Sequence, residues 1–171
     1  MILNTKKGRA NQMNVGALNA NGEILLFLHA DTILPLNAIE EIFEILSDKN
    51  ISAGAFDLSF DSNSYMLKLI SFVASLRSRF TKIPYGDQAI FIRKEVFKEI
   101  NMYENIDIME DINLMQKLKK QNHKIKILKS KVITSAIKYE KNGILFTSIK
   151  NIILSSLYYI GVDAKKLARF Y

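Results

Sequence analysis

The sequence predicts a single α/β domain with a mixed sheet and flanking helices, on three observations. A helical pattern over 8–20 runs through Asn21-Gly22 straight into the apolar strand Ile24-Leu25-Leu26-Phe27-Leu28, which makes an αβ unit. Helical and strand patterns then alternate along the 171 residues, the order of a layered α/β domain. No repeat, low-complexity tract or flexible linker divides the chain, and its length suits one core.

In the first helix Ala10, Met13, Ala17 and Leu18 share a face, and Asn21-Gly22 stops it. Strand 24–28 is apolar without alternation, as a strand covered on both faces of a parallel sheet would be. Residues 36–47 set Leu36, Ile39, Ile42, Phe43 and Leu46 at helical spacing, with Asn37 or Asp31 as the candidate cap. Residues 53–60 alternate, with Phe56, Leu58 and Phe60 on one face of a strand. Residues 63–80 form a longer helix whose stripe of Tyr65, Met66, Leu69, Ile70, Val73, Leu76 and Phe80 is expected to face the core. Lys82 to Gln88 is a loop, Ala89 to Ile92 a short strand and Lys94 to Ile100 a short helix. A helix over 110–122 turns Ile112, Met115 and Leu118 inward; strands follow at 125–128 and 132–137, then helices at 143–160 and 163–170.

The chain is 49% apolar and 24% charged, an ordinary globular balance. It has no cysteine, which excludes disulfides, thiolate metal sites and cysteine nucleophiles. Its two histidines, His29 and His123, argue against a multi-histidine metal site, and no Gly-x-Ser-x-Gly elbow accompanies them. The net charge of +7 favours an anionic partner, or else reflects a lysine-rich soluble surface. Basic residues are mostly scattered; the run from Lys117 to Lys131 reads as the exposed side of a helix and strand, so nucleic acid is not an expected partner. The segment Met1 to Lys7 lacks the apolar core of a leader. Residues 144–162 come nearest to a membrane span but contain Lys150, Asn151 and several serines. A cytoplasmic location is the expectation.

Chemistry concentrates at His29-Ala30-Asp31-Thr32. A strand that ends in a carboxylate puts it at the carboxyl edge of a sheet, where open α/β folds bind ligands. The same residues also suit a turn or a helix cap.

Four ordered runs carry a resemblance: Gly8-Arg9-Ala10-x-Gln12-Met13-Asn14-x-Gly16-Ala17, Leu26-Phe27-Leu28-His29-Ala30-Asp31-Thr32-x-Leu34-Pro35, Gly86-Asp87-Gln88-Ala89-x-Phe91 and Met109-Glu110-Asp111. Together they resemble the family-two glycosyltransferases of GT-A fold, and within them the branch with a Leu-His-Ala-Asp-Thr motif, the radical-SAM/selenodomain-associated type. The resemblance covers residue 8 to the C-terminus. It implies a partial GT-A fold, Rossmann-like, and inverting transfer of a sugar from a nucleotide-diphosphate donor to an acceptor hydroxyl. The leaving diphosphate gains negative charge, so Mn²⁺ or Mg²⁺ is implied as cofactor. In the family an Asp-x-Asp motif closes the nucleotide-binding strand. Here His29 replaces the first Asp, which leaves Asp31 as the implied metal ligand and His29 as a diphosphate or metal contact, with a core histidine as the plain alternative. The resemblance implies Asp111 as the catalytic base and Glu110 as its supporting group, though acids in a first helical turn also simply favour the helix dipole. It places Arg9 and Asn14 beside the nucleotide and Gly86, Asp87 and Gln88 along the sugar or acceptor pocket; an exposed Arg on an ordinary helix, and a plain turn, are the alternatives. Gly16 would allow close backbone packing. Arg77 and Arg79, just before the Lys82 to Gln88 loop, could hold a phosphate, but read better as a solvated helix end.

The family's fold begins with strands that precede the Gly-Arg-Ala helix, and the strand at 24–28 has no earlier neighbour. An N-terminally shortened domain is therefore the expectation, with a nucleoside pocket only partly built and low activity for the chain alone. A second copy, as a homodimer, is one way to cover an open sheet edge. The competing reading is a non-catalytic interaction or membrane-peripheral module on the same fold remnant. Residues 144–160 are apolar enough for such a surface, or for a core helix. Donor sugar, base and acceptor stay open.

Overall fold

The computed structural model describes residues 4–171, so Met1 to Leu3, the start of the segment read as lacking a leader, lie outside the described residues. In chain order the elements are α1 (Arg9–Asn19), β1 (Ile24–Phe27), β2 (Thr32–Ile33), α2 (Ala38–Ser47), β3 (Ile51–Phe60), α3 (Tyr65–Thr81), a 3-10 turn (Gly86–Gln88), β4 (Ile90–Arg93), α4 (Lys94–Glu99), α5 (Glu110–Lys120), β5 (Lys124–Thr134), α6 (Ile137–Asn142), α7 (Ile144–Tyr159) and α8 (Ala164–Ala168). The five strands form one sheet in the order β1-β4-β3-β5-β2. Only β3 and β5 pair in parallel; β1–β4, β3–β4 and β2–β5 are antiparallel.

β3 is the spine of the sheet. Phe56, Leu58 and Phe60 do share a face, and they pack with Leu67, Phe91 and Val132. The opposite face carries the small Ala53 and Ala55, over which Ile90, Ile92, Leu114, Met115 and Leu118 close. Both faces are thus covered, and Ser52 through Leu58 are all buried. Gly54 is obligatory: a Cβ there would stand 2.3 Å from the Phe91 ring and 2.4 Å from the Lys126 carbonyl.

Strand 24–28 departs from expectation. β1 is an edge strand, antiparallel to β4, with only Leu25 fully buried. Its outer edge has no strand partner among the described residues. Its apolar run packs against α1 instead, through Ala10, Met13 and Ala17; Leu18 is exposed.

The stripe of α3 points the other way from its reading. Leu67, Ser71, Ser75 and Ser78 are buried, while Tyr65, Leu69, Phe72 and Phe80 are more than 60% exposed. The cause lies in β3. Short β4 pairs with it only at Ala53 and Gly54. Past that point β3 stays paired with β5, but its other edge takes hydrogen bonds from side chains: the Leu58 N–H donates to Ser75 Oγ at 2.9 Å, and the Phe56 carbonyl accepts from Gln88 Nε2 at 2.8 Å. Serines supply donors and acceptors and let the helix sit close, so hydrogen-bond demand outranks hydropathy.

Arg79 is likewise no solvated end. It bonds Asp57 at 2.6 Å and reaches the Ile127 and Leu128 carbonyls at the register shift between β3 and β5. Two strands expected at 125–128 and 132–137 are one strand, bent at that shift, and 137–142 is helical. On α2 the buried residues are Ala38, Ile42 and Leu46; Leu36, Ile39 and Phe43 are exposed. α2 covers the sheet with a narrower face than its spacing suggests.

Candidate active site

Four segments far apart in sequence meet at the carboxyl end of β1. Arg9 opens α1, His29 follows β1, Gly86 opens the 3-10 turn before β4, and Glu110 and Asp111 open α5. β4 runs antiparallel to β1, with Ile90 opposite Phe27, so the turn before β4 falls at the end where β1 finishes.

Arg9 is the link. Its Nη2 lies 2.6 Å from His29 Nε2 and its Nε lies 3.1 Å from Glu110 Oε1. A guanidinium only donates, so His29 Nε2 accepts and the ring proton sits on Nδ1. Burial first, then the Arg9 charge, hold the His29 pKa below its usual value, while Asp31 and Asp111 pull it back up. His29 is therefore a neutral hydrogen-bond partner near pH 7. The Arg9 N–H is not aimed at Glu110 Oε1, which takes no hydrogen bond although Glu110 is only 1% exposed. Burial raises the Glu110 pKa, the Asp111 charge adds to this, and Arg9 opposes it.

Asp111 is held by backbone. Its Oδ2 accepts from the Gly86 N–H at 2.6 Å and its Oδ1 from the Ile112 N–H at 2.7 Å. The turn at Gly86 packs close under the pair, since a Cβ there would lie 2.9 Å from both Arg9 Nη2 and His29 Nε2 and would displace them. Asp87 belongs to the same cluster. Burial, then the charge of Asp111, push its pKa up to about 6 against the pull of Arg77 and Arg9. Two neighbouring carboxylates with different environments are the usual arrangement for splitting acid and base roles. Both turns are held in left-handed backbone by residues other than glycine: Ala89 (φ 50°) after Gln88, and Met109 (φ 65°) before Glu110.

Three of the expected residues stand differently. Asn14 spends its amide on the chain itself: Nδ2 donates to the Tyr103 carbonyl at 2.9 Å, and Oδ1 accepts from the Tyr103 N–H at 3.0 Å. Gln88 is fully buried; besides its bond to Phe56, its Oε1 accepts from Ser78 Oγ at 2.6 Å and from the Tyr85 N–H at 3.2 Å. Both amides anchor the loops that carry the cluster rather than line it. Asp31 is exposed beyond β1, bonded to no other group among the described residues, yet near enough to act on His29. The Cβ position of Gly16 faces open space, so close packing is not its role.

The metal question turns on Asp31. Among the described residues no three His, Asp or Glu side chains gather to hold an ion. The Nε2 lone pair of His29 is occupied by Arg9. Among the described residues the site therefore offers the free carboxylate of Asp31 and no cage, which suits only an ion that arrives already ligated by phosphate oxygens and water.

Sequence reading missed Tyr103 and set Arg77 aside as a solvated helix end. Tyr103 is 4% exposed; burial, then the charges of Asp111 and Glu110, push its phenol well above the ordinary range. Its ring packs on Phe27 and Phe97. Arg77 lies 3.4 Å over the Tyr85 ring and acts electrostatically on Asp87. Neither carries a spacing signal, since each meets the cluster only through tertiary packing. A cleft of about 460 Å³ adjoins the cluster, lined by Arg9, Gln12 and Gly16 of α1 and by the residues of β1 through His29.

No curated protein matches the chain. A family model described as "Glycosyl transferase family 2" matches residues 1–101, more than half the chain. That span holds Arg9, His29, Asp31 and the Gly86–Gln88 turn; Glu110 and Asp111 lie beyond it.

Proposed function

Since the chain belongs to glycosyl transferase family 2, and its five-stranded mixed sheet with flanking helices is part of a GT-A-like Rossmann fold, we propose that it transfers a sugar from a nucleotide-diphosphate donor to an acceptor hydroxyl with inversion. The observation that carries this reading is the meeting of Arg9, His29, Gly86 and Asp111 at one sheet edge beside an open cleft. Within the family, the run Leu28-His29-Ala30-Asp31-Thr32 supports the Leu-His-Ala-Asp-Thr branch.

Arg9 neutralises charge on the donor diphosphate, with neutral His29 donating from Nδ1. Asp31 is the carboxylate for a Mg²⁺ or Mn²⁺ brought in with that diphosphate. Such an ion supplies charge neutralisation of the leaving group when bound. Asp111, oriented by the Gly86 and Ile112 N–H groups, takes the acceptor proton, and attack from the side opposite the leaving group inverts the sugar carbon. Glu110, 3.1 Å from Arg9, is the supporting group. Asp87 lines the acceptor side.

The test is release of nucleoside diphosphate from a panel of UDP-, GDP-, ADP- and dTDP-sugars, with simple sugar acceptors and Mn²⁺. The parent chain should turn over one donor class. Asp111→Asn should lower the rate by at least about 100-fold with an unchanged circular dichroism spectrum. Retention of near-full turnover by Asp111→Asn would remove the base assignment, and no turnover with any donor would remove the reading.

A further inference from the structure

Helices α3 and α7 pack on one another and both wear their apolar side outward. On α3 the exposed residues include Leu69, Phe72 and Val73; on α7 they include Phe146, Ile149 and Ile153. The buried residues of α7 are Thr147, Leu154 and Ser155, two of the three polar, as on α3. Scattered exposed apolar residues need no explanation, but neighbouring helices with this inversion make a surface that water covers poorly.

Charge identifies the occupant. Residues 62–82 contain no acid; Arg77 and Arg79 turn inward to Tyr85 and Asp57, which leaves Lys68 and Lys82 exposed. Residues 141–171 contain five cations and one acid, Asp163, whose carboxylate caps α8 by accepting from the Lys165 and Lys166 N–H groups. Lys68 stands 5.3 Å over the Tyr65 ring, and Lys150 6.0 Å over that of Phe146. Long cationic stems laid over aromatic rings keep their charge at a water boundary. A second copy docked face to face would set these cations against each other. α2 also exposes Ile39 and Phe43, but among Glu40, Glu41 and Glu44. No helix among the described residues is long and apolar enough to cross a membrane.

We propose that the joint face of α3 and α7 docks on an anionic lipid bilayer, its apolar side chains entering the interface and its lysines meeting the headgroups. The inference is independent of the transferase reading and needs no donor or acceptor.

Co-sedimentation of the full chain with phosphatidylcholine vesicles, with and without about one third phosphatidylglycerol, tests it. Binding to the anionic vesicles should be at least about tenfold tighter than to the neutral ones, and should weaken in high salt. The pair Lys68→Glu and Lys150→Glu should abolish that preference. The pair Phe72→Ser and Ile149→Ser should abolish binding while circular dichroism and melting temperature stay unchanged. Equal binding to both vesicle types, or no binding, overturns the proposal. So does a lipid-free dimer that Phe72→Ser and Ile149→Ser convert to monomer, because a second copy would then be the occupant.

Discussion

The cluster at the end of β1 and the outer face of α3 and α7 invert hydropathy in opposite senses. In the cluster, charged and amide groups are buried: Glu110 and Gln88 are at most 1% exposed. On the helices, Phe72 and Ile152 are each 64% exposed. The buried polar groups mostly bond one another or the backbone, so the interior fixes their positions. The exposed apolar groups have nothing to hold them. The difference separates a part of the molecule that is built to be rigid from a part that is built to be met.

That contrast can be broken by mutation, and the largest effect is expected at Gln88. Gln88→Leu strands the Phe56 carbonyl and the Tyr85 N–H, while Ser78 keeps its bond to the Ala74 carbonyl, and should cost about 3 kcal/mol in urea unfolding. A cost below about 1 kcal/mol would mean that the turn is not anchored there. Asp87 comes next. Its carboxyl is raised to about 6 in the folded chain from an ordinary 3.8, so its protonated form favours folding. The stability it contributes is full below about pH 4 and is lost as pH rises through about 6. Asp87→Asn should remove that loss and gain on the order of 2 kcal/mol over the parent above pH 6, read as melting temperature against pH. Ser75→Ala leaves the buried Leu58 N–H unpaired and should cost about 1–2 kcal/mol. Leu69→Ser, on the outer face, should change stability by no more than about 0.5 kcal/mol. If Leu69→Ser proved as costly as Ser75→Ala, the two sides of α3 would have to be exchanged.

Much of the fold was legible because local pattern and tertiary demand agree. The helix over 110–122 turned Ile112, Met115 and Leu118 inward as its spacing requires. On β3, Phe56, Leu58 and Phe60 share one face of the sheet. The reading of α3 failed where a helix serves one open edge of a strand: the requirement that Leu58 N–H find an acceptor is a property of β3 and leaves no trace in the periodicity of 65–81. β1 misled for a related reason, since an apolar edge strand covered by α1 has the same composition as a central one. Among the candidate residues, Arg9, His29, Gly86 and Asp111 meet because each opens or ends an element at one sheet edge. Asn14 and Gln88 belong to the same motifs but support them from behind. Motif membership does not tell a lining residue from its anchor; hydrogen-bond satisfaction does.

The left-handed backbone at Ala89 and Met109 has one more consequence. Each residue carries a side chain in a conformation that costs about 1 kcal/mol, and each sits at the hinge point of a turn that delivers a carboxylate. The ordering of those turns is thus completed during folding, against local preference, and a ligand entering between them meets groups already in place. Its affinity is spared the entropy of arranging them. Glycine at either position would relax the turn and hand that entropy back to the binding step.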